Sequence, residues 1–96
     1  GSMSFEWDDE KDEANFRKHG VRFTEASTIF KDPHGIELLD LYNSEEEERW
    51  IRLGISKKMK LLIVVYCVRQ TTNAIRIISA RLATRTETQI YEKGHL

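Results

Sequence analysis

The chain changes hydrophobic period part-way along. Before Pro33 its apolar residues recur at helical spacing, and after it they alternate or run on as strands do. Phe5-Glu6-Trp7 predicts a short opening strand. Asp8 is placed to cap a first helix, with Asp9 and Glu10 in its first turn, Arg17-Lys18 near its carboxyl end and Gly20 to stop it. That helix offers little apolar surface beyond Ala14 and Phe16, so it belongs at the margin of the core. A second helix is expected from about Thr24 to Lys31, capped by Thr24 and ended by Asp32-Pro33, with Phe23, Ala26, Ile29 and Phe30 as its buried stripe.

Beyond Pro33 the pattern predicts strands at Ile36–Leu41 and Arg49–Ser56 around an acidic loop, Tyr42–Glu48. In the second strand Ile51, Leu53 and Ile55 share one face, and Trp50 and Arg52 the other. Lys57-Lys58-Met59 turns the chain into a central strand, Lys60–Arg69, whose run Leu61–Cys67 is branched and almost wholly apolar. Gln70–Asn73 turns again into Ala74–Ala80, and Thr84 begins a last helix through Tyr91. The fold class is α+β, in the order β-α-α-β-β-β-β-α. Short turns make a mainly antiparallel sheet the economical arrangement, with two N-terminal helices on one face and the other face partly open.

At 96 residues the chain has room for one domain, 3–96, with Gly1-Ser2 reading as an expression scar before Met3. No signal peptide or membrane-length apolar run is seen, which points to the cytoplasm. The single cysteine, Cys67, excludes a disulfide framework and, within an apolar strand, reads as a buried thiol. The formal net charge of −1 conceals a split: the first 50 residues balance at −8 and the remainder at +7. Between Leu61 and Arg85 there is no acidic residue, yet Arg69, Arg76, Arg81 and Arg85 punctuate the segment. Guanidiniums left unpaired on a sheet suit phosphates.

Several short motifs carry a family resemblance. They are FEWD near the start, Asn15, Lys18-His19-Gly20, Phe23-x-Glu25-Ala26, Phe30-x-Asp32, Glu48-Arg49, Gly54-x-Ser56, Leu62-x-Val64-Val65-Tyr66 and the block from Ile75 to Glu87. In this order and spacing the chain resembles the BrnT toxins. The resemblance implies a RelE-like fold and a ribonuclease toxin of a type II toxin–antitoxin pair, cutting RNA without a metal, a cofactor or the ribosome. It also implies a protein partner, a BrnA-type antitoxin, through which alone the toxin would meet operator DNA. Two positions depart from the family pattern. Lys60 stands where relatives often have arginine, which keeps the charge but loses the bidentate fork. Val68 stands where an acidic residue often precedes the arginine here numbered Arg69.

Metal-free cleavage of RNA requires a base for the 2′-hydroxyl, cations for the crowded phosphorane and an acid for the leaving 5′-oxygen. The products would be a 2′,3′-cyclic phosphate and a 5′-hydroxyl. Lys18, His19, Glu25, Lys60, Arg76 and Arg81 are the candidate catalytic residues, and Tyr66, Arg69 and Arg85 the candidate RNA contacts. Histidine suits proton transfer near neutral pH, although Lys18 and His19 also fit a helix C-terminus. Glu25 suits a base, an orienting group for Lys18 or a helix dipole. Arg76 suits phosphate or an ion pair with Glu25 or Glu37, and Arg81 suits phosphate or a brace for the last helix. Tyr66 suits base stacking or the core. The three histidines, His19, His34 and His95, are scattered, and no metal-ligand spacing occurs.

The alternative to an enzyme is a catalytically weak or inactive member that binds its antitoxin and modulates operon repression. Convergence of Lys18, Arg76 and Lys60 on one pocket would favour catalysis, and their engagement by carboxylates would favour binding. A stand-alone DNA-binding protein is a poor third, since no helix-turn-helix pattern is present and the last helix is not basic enough for a groove.

Overall fold

The structure, a computed structural model, describes residues 3–42 and 47–95. The proposed scar and Glu45-Glu46 of the acidic loop lie outside the described residues. Five strands, β1 (Phe5–Glu6), β2 (Ile36–Leu39), β3 (Arg49–Ile55), β4 (Leu61–Val68) and β5 (Ile75–Leu82), form one sheet in the order β1-β5-β4-β3-β2. β2 to β5 make the expected antiparallel meander, and β1 joins β5 in parallel.

Helix α1 (Asp9–His19) ends as its sequence dictates. The Asp8 carboxylate accepts from the Glu10 and Lys11 N–H groups, and Gly20 adopts φ 71°. Helix α2 (Phe23–Ser27) corrects the expectation of a helix capped by Thr24. It starts one residue earlier, its N-cap is Arg22 with no side-chain cap bond, and a 3-10 turn (Thr28–Lys31) completes it. The carboxylate of Asp12, on α1, instead accepts from the Phe23 N–H at 2.8 Å. Phe23 can therefore enter the core, where it is fully buried. Helix α3 (Arg85–Lys93) is capped by Thr84 in a reciprocal box with Glu87.

Val21, Phe23, Ala26 and Ile29 pack on Leu62, Val64, Ile77 and Ala80 to form the core. These sheet residues occupy one face, the helical face. The 3-10 turn crosses β3 so closely there that a Cβ on Gly54 would lie 3.2 Å from both the Cβ and the carbonyl oxygen of Ile29. Asn15 fastens α1 to the sheet. Its amide donates to the carbonyls of Val21 (2.9 Å) and Ala80 (2.8 Å) and accepts from the Ala80 N–H (3.1 Å). The opposite face carries Ile51, Leu53, Ile63 and Val65 and is only partly covered, by α3.

Candidate active site

The β4–β5 register decides which arginines share a face. Arg76 lies opposite Cys67 and Arg81 opposite Ile63, so both project from the partly open face. They are five positions apart, and unbroken alternation would have put them on opposite sides. A bulge between the Val65–Ser79 and Tyr66–Ile77 pairs leaves Ile78 as the extra residue and restores them to one face. Tyr66 lies on the other face, opposite Ile77.

On the open face a cavity of about 460 Å³ has an apolar floor that includes Leu38, Ile51, Ile63 and Val65. His19, Ser79, Arg81 and Glu87 line it too. His19 reaches it because Asn15 holds α1 against β5 at Ala80, leaving the end of the helix beside Ser79 and Arg81. A wider cleft of about 680 Å³, lined by Trp50, Val68, Arg69 and Glu47 among others, contains neither His19 nor Arg81. Of these two, the smaller combines an imidazole with a sheet arginine.

The sheet arginines are paired, contrary to the expectation from their acid-free segment. Carboxylates from elsewhere in the chain supply the partners. Glu6, one strand away on β1, lies 3.1 Å from Arg76 and 3.6 Å from Arg69. It takes the place assigned to Glu25 or Glu37, and Glu37 binds Arg52 instead at 2.6 Å. Arg81 forms a two-pronged pair with Glu87 at 2.8 and 2.9 Å and so does brace α3. That hydrogen-bonded guanidinium, more than the opposing effect of burial, holds the Glu87 carboxyl at about 2.

The other expected residues are dispersed. Lys18 is exposed near the end of α1, and Arg85 is exposed at the start of α3. Tyr66 corrects the expectation of a base-stacking platform: it is 4% exposed and meets Phe30 edge-on at 4.9 Å, so a base has no access to its ring. Glu25 is buried on the helical side and accepts from the Ser56 hydroxyl at 2.7 Å, which leaves Lys18 without it. Lys60 precedes Leu61 at the end of the sheet remote from Arg76, roughly 23 Å away at about 3.3 Å per strand residue. Lys18, Arg76 and Lys60 therefore do not converge. Cys67 is fully buried, and burial, reinforced by Glu47, pushes its thiol up despite Arg69 and Arg76, consistent with a structural role.

Sequence reasoning missed Asn15 as a buried fastener, Glu6 as the shared partner of two arginines and Asp32 as a hub. The Asp32 carboxylate accepts from Tyr91 Oη at 2.5 Å and from the N–H groups of Ile55 and His34 at 2.9 Å. None of the three gave a signal in the hydrophobic pattern, since α1 is polar along almost its whole length; all three stood only among the residues of the family resemblance. Among the described residues no group of three or more His, Cys, Asp or Glu side chains could hold a metal ion, and no helix is long and apolar enough to cross a membrane.

A family model described as the ribonuclease toxin BrnT of type II toxin–antitoxin systems matches residues 7–87. The chain belongs to the BrnT family. A 1.1 Å crystal structure of the Brucella abortus ribonuclease toxin BrnT resembles it with a TM-score of 0.63 at 20% identity, over 88% of this chain and all of the other. That likeness establishes the BrnT fold, a small α+β domain. No curated protein matches the chain. Membership in a toxin–antitoxin family implies an antitoxin protein as partner of this BrnT-family chain.

Proposed function

We propose that this BrnT-family protein is a metal-independent endoribonuclease whose reaction takes place on the open sheet face, at the cavity shared by His19 and Arg81. The observation that carries this reading is that shared cavity, with the bulge turning Arg76 to the same side. The apolar floor suits the face of a base, and the rim of His19, Ser79 and Arg81 suits a phosphodiester. His19 would move the proton at the 2′-hydroxyl or the leaving 5′-oxygen, and Arg81 would stabilise charge on the phosphorane. Arg76 and Arg69 would hold the strand further along, with Lys18 and Arg85 as outlying cations. Attack by the 2′-hydroxyl would leave 2′,3′-cyclic phosphate and 5′-hydroxyl ends. A BrnA-type antitoxin, itself the operator-binding component, would neutralise the toxin in the cytoplasm.

One observation favours the second reading, a weakly active protein that serves to bind its antitoxin. Arg76 and Arg81 already hold carboxylates, so substrate phosphate must compete with Glu6 and Glu87. Cleavage of a defined RNA in EDTA separates the two. Cyclic-phosphate ends produced by the parent, and reduced at least about tenfold in both His19→Gln and Arg76→Ala, a loss of about 1.4 kcal/mol of transition-state stabilisation or more, support the enzyme. No cleavage by folded, antitoxin-free protein would overturn it in favour of antitoxin binding.

A further inference from the structure

The β3–β4 turn presents Lys57, Lys58 and Lys60, all exposed, around an equally exposed Met59. Among the described residues none of these lysines lies within 4.0 Å of a carboxylate oxygen, whereas Arg22, Arg52, Arg69, Arg76 and Arg81 all do. Two carboxylates lie nearby, and both are engaged: Glu25 by Ser56, and Asp32 by Tyr91, Ile55 and His34. Lys31 stands next to this end, lining a shallow cavity with Thr28, Ser56 and Lys57. The lysine charge is therefore available to an outside anion.

The turn is also held rigid. Ser56 N–H donates to the Lys60 carbonyl at 2.8 Å, and the Ser56 hydroxyl accepts from the Lys58 and Lys60 N–H groups while donating to buried Glu25. Lys57 N–H donates to Thr28 Oγ1 at 2.8 Å. Met59 takes φ 64°, a left-handed conformation that costs a non-glycine residue on the order of 1 kcal/mol. Buried Glu25, the Ser56 hydroxyl and Thr28 thus fix the backbone from which the three lysines project, so the turn need not be ordered when an anion binds.

Position along β4 suggests the ligand. Counting strand residues at about 3.3 Å each, the turn lies roughly 10 Å from the level of Arg81, and Arg76 lies roughly 13 Å beyond it. Three cationic stations then succeed one another along one strand. Arg76 and Arg81 stand on the open face with an apolar floor between them. The turn stands at the end of the sheet, where Lys60 pairs with Ser56 on the helical side and Lys57 and Lys58 stand at the tip. That spacing matches an extended chain of phosphates better than a single small anion.

We propose that the Lys57–Lys60 turn is a phosphate-backbone anchor for single-stranded RNA, separate from the reacting phosphate, so that Lys60 grips the strand and takes no part in the chemistry. The proposal deepens the ribonuclease reading and rests on RNA being the ligand of this chain. The test measures binding of 2′-O-methyl oligouridylates of four and eight nucleotides, which lack the nucleophile and cannot be cleaved, to the antitoxin-free protein and to a Lys57→Ala/Lys58→Ala double variant. Cleavage of the unmodified eight-nucleotide RNA is followed in parallel. The parent should gain affinity from four to eight nucleotides, and the double variant should lose most of that gain, about tenfold. Its salt dependence should fall by about 0.7 in log–log slope for each phosphate no longer neutralised, and its kcat should be unchanged while KM rises.

Equal affinities and equal slopes for parent and variant would overturn the proposal, as would an eight-nucleotide RNA that the parent fails to bind. A variant that loses antitoxin affinity but keeps RNA affinity would also overturn it and make the turn an antitoxin contact. Turn-dependent binding without cleavage by the parent would refute the catalytic reading alone and uphold the anchor.

Discussion

The two faces of the sheet solve different problems with the same strands. On the helical face Leu62, Val64 and Ile77 meet Phe23 and Ile29 at 0–1% exposure, and water is excluded. On the open face Leu38 and Val65 keep some contact with solvent, and guanidiniums sit beside carboxylates. Burial of apolar surface contributes about 25 cal/mol per Å² removed from water, whereas an exposed ion pair contributes about 0–1 kcal/mol. The fold is therefore held from one side, while the other can carry charge for an external ligand at little cost to stability. Tyr66 and Arg76 show the division most directly: ten residues apart, they leave the sheet in opposite directions, one into the core and one towards solvent.

The comparison can be broken most forcefully at the core. Phe23→Ala should destabilise by about 3–5 kcal/mol, while Leu38→Ala on the open face should cost less than about 1.5 kcal/mol, both read from urea unfolding. Similar losses at the two sites would erase the distinction between the faces. Asn15→Ala comes next, at about 2–3 kcal/mol, because it strands buried backbone groups at Val21 and Ala80. If Asn15 also sets the position of His19, a variant still folded at low temperature should lose RNA cleavage more steeply than it loses stability.

Smaller effects sharpen the open face. The depressed Glu87 carboxyl favours the folded state above its ordinary value of 4.5, and that contribution disappears as pH falls towards about 2. Glu87→Gln should therefore cost about 1 kcal/mol or less at pH 7 and flatten the stability profile between those limits, as urea midpoints across pH will show. Glu6→Gln should leave unfolding almost unchanged, within about 0.5 kcal/mol. By releasing Arg69 and Arg76 it should strengthen RNA binding several-fold in a filter assay. Weaker binding would mean that Glu6 positions these arginines for RNA instead of competing with it.

Much of the fold was legible because its signals are local. Asp8 and Gly20 bound α1, Thr84 starts α3, and Leu61–Cys67 marks the central strand, each through the conformational preference of a few neighbouring residues. The start of α2 was not, because the carboxylate that serves it comes from α1. The candidate site was legible as a set of residue types but not as a place. His19 and Arg81 share a cavity, whereas Lys60, Glu25 and Tyr66 lie elsewhere, and nothing local to them distinguishes the two groups.

By itself the sequence determined the order of the elements, the antiparallel meander, the covered and open faces and the excess of cations in the second half. These follow from periodicity, caps and composition, which act over one or two turns of chain. Tertiary structure alone decided the pairing of those cations and the face each one occupies. Glu6 reaches Arg76 across 70 positions of sequence, and the extra residue Ile78 brings Arg76 and Arg81 to the same side. Partner choice depends on which strands become neighbours, and facing depends on register, where a shift of one residue reverses every side chain.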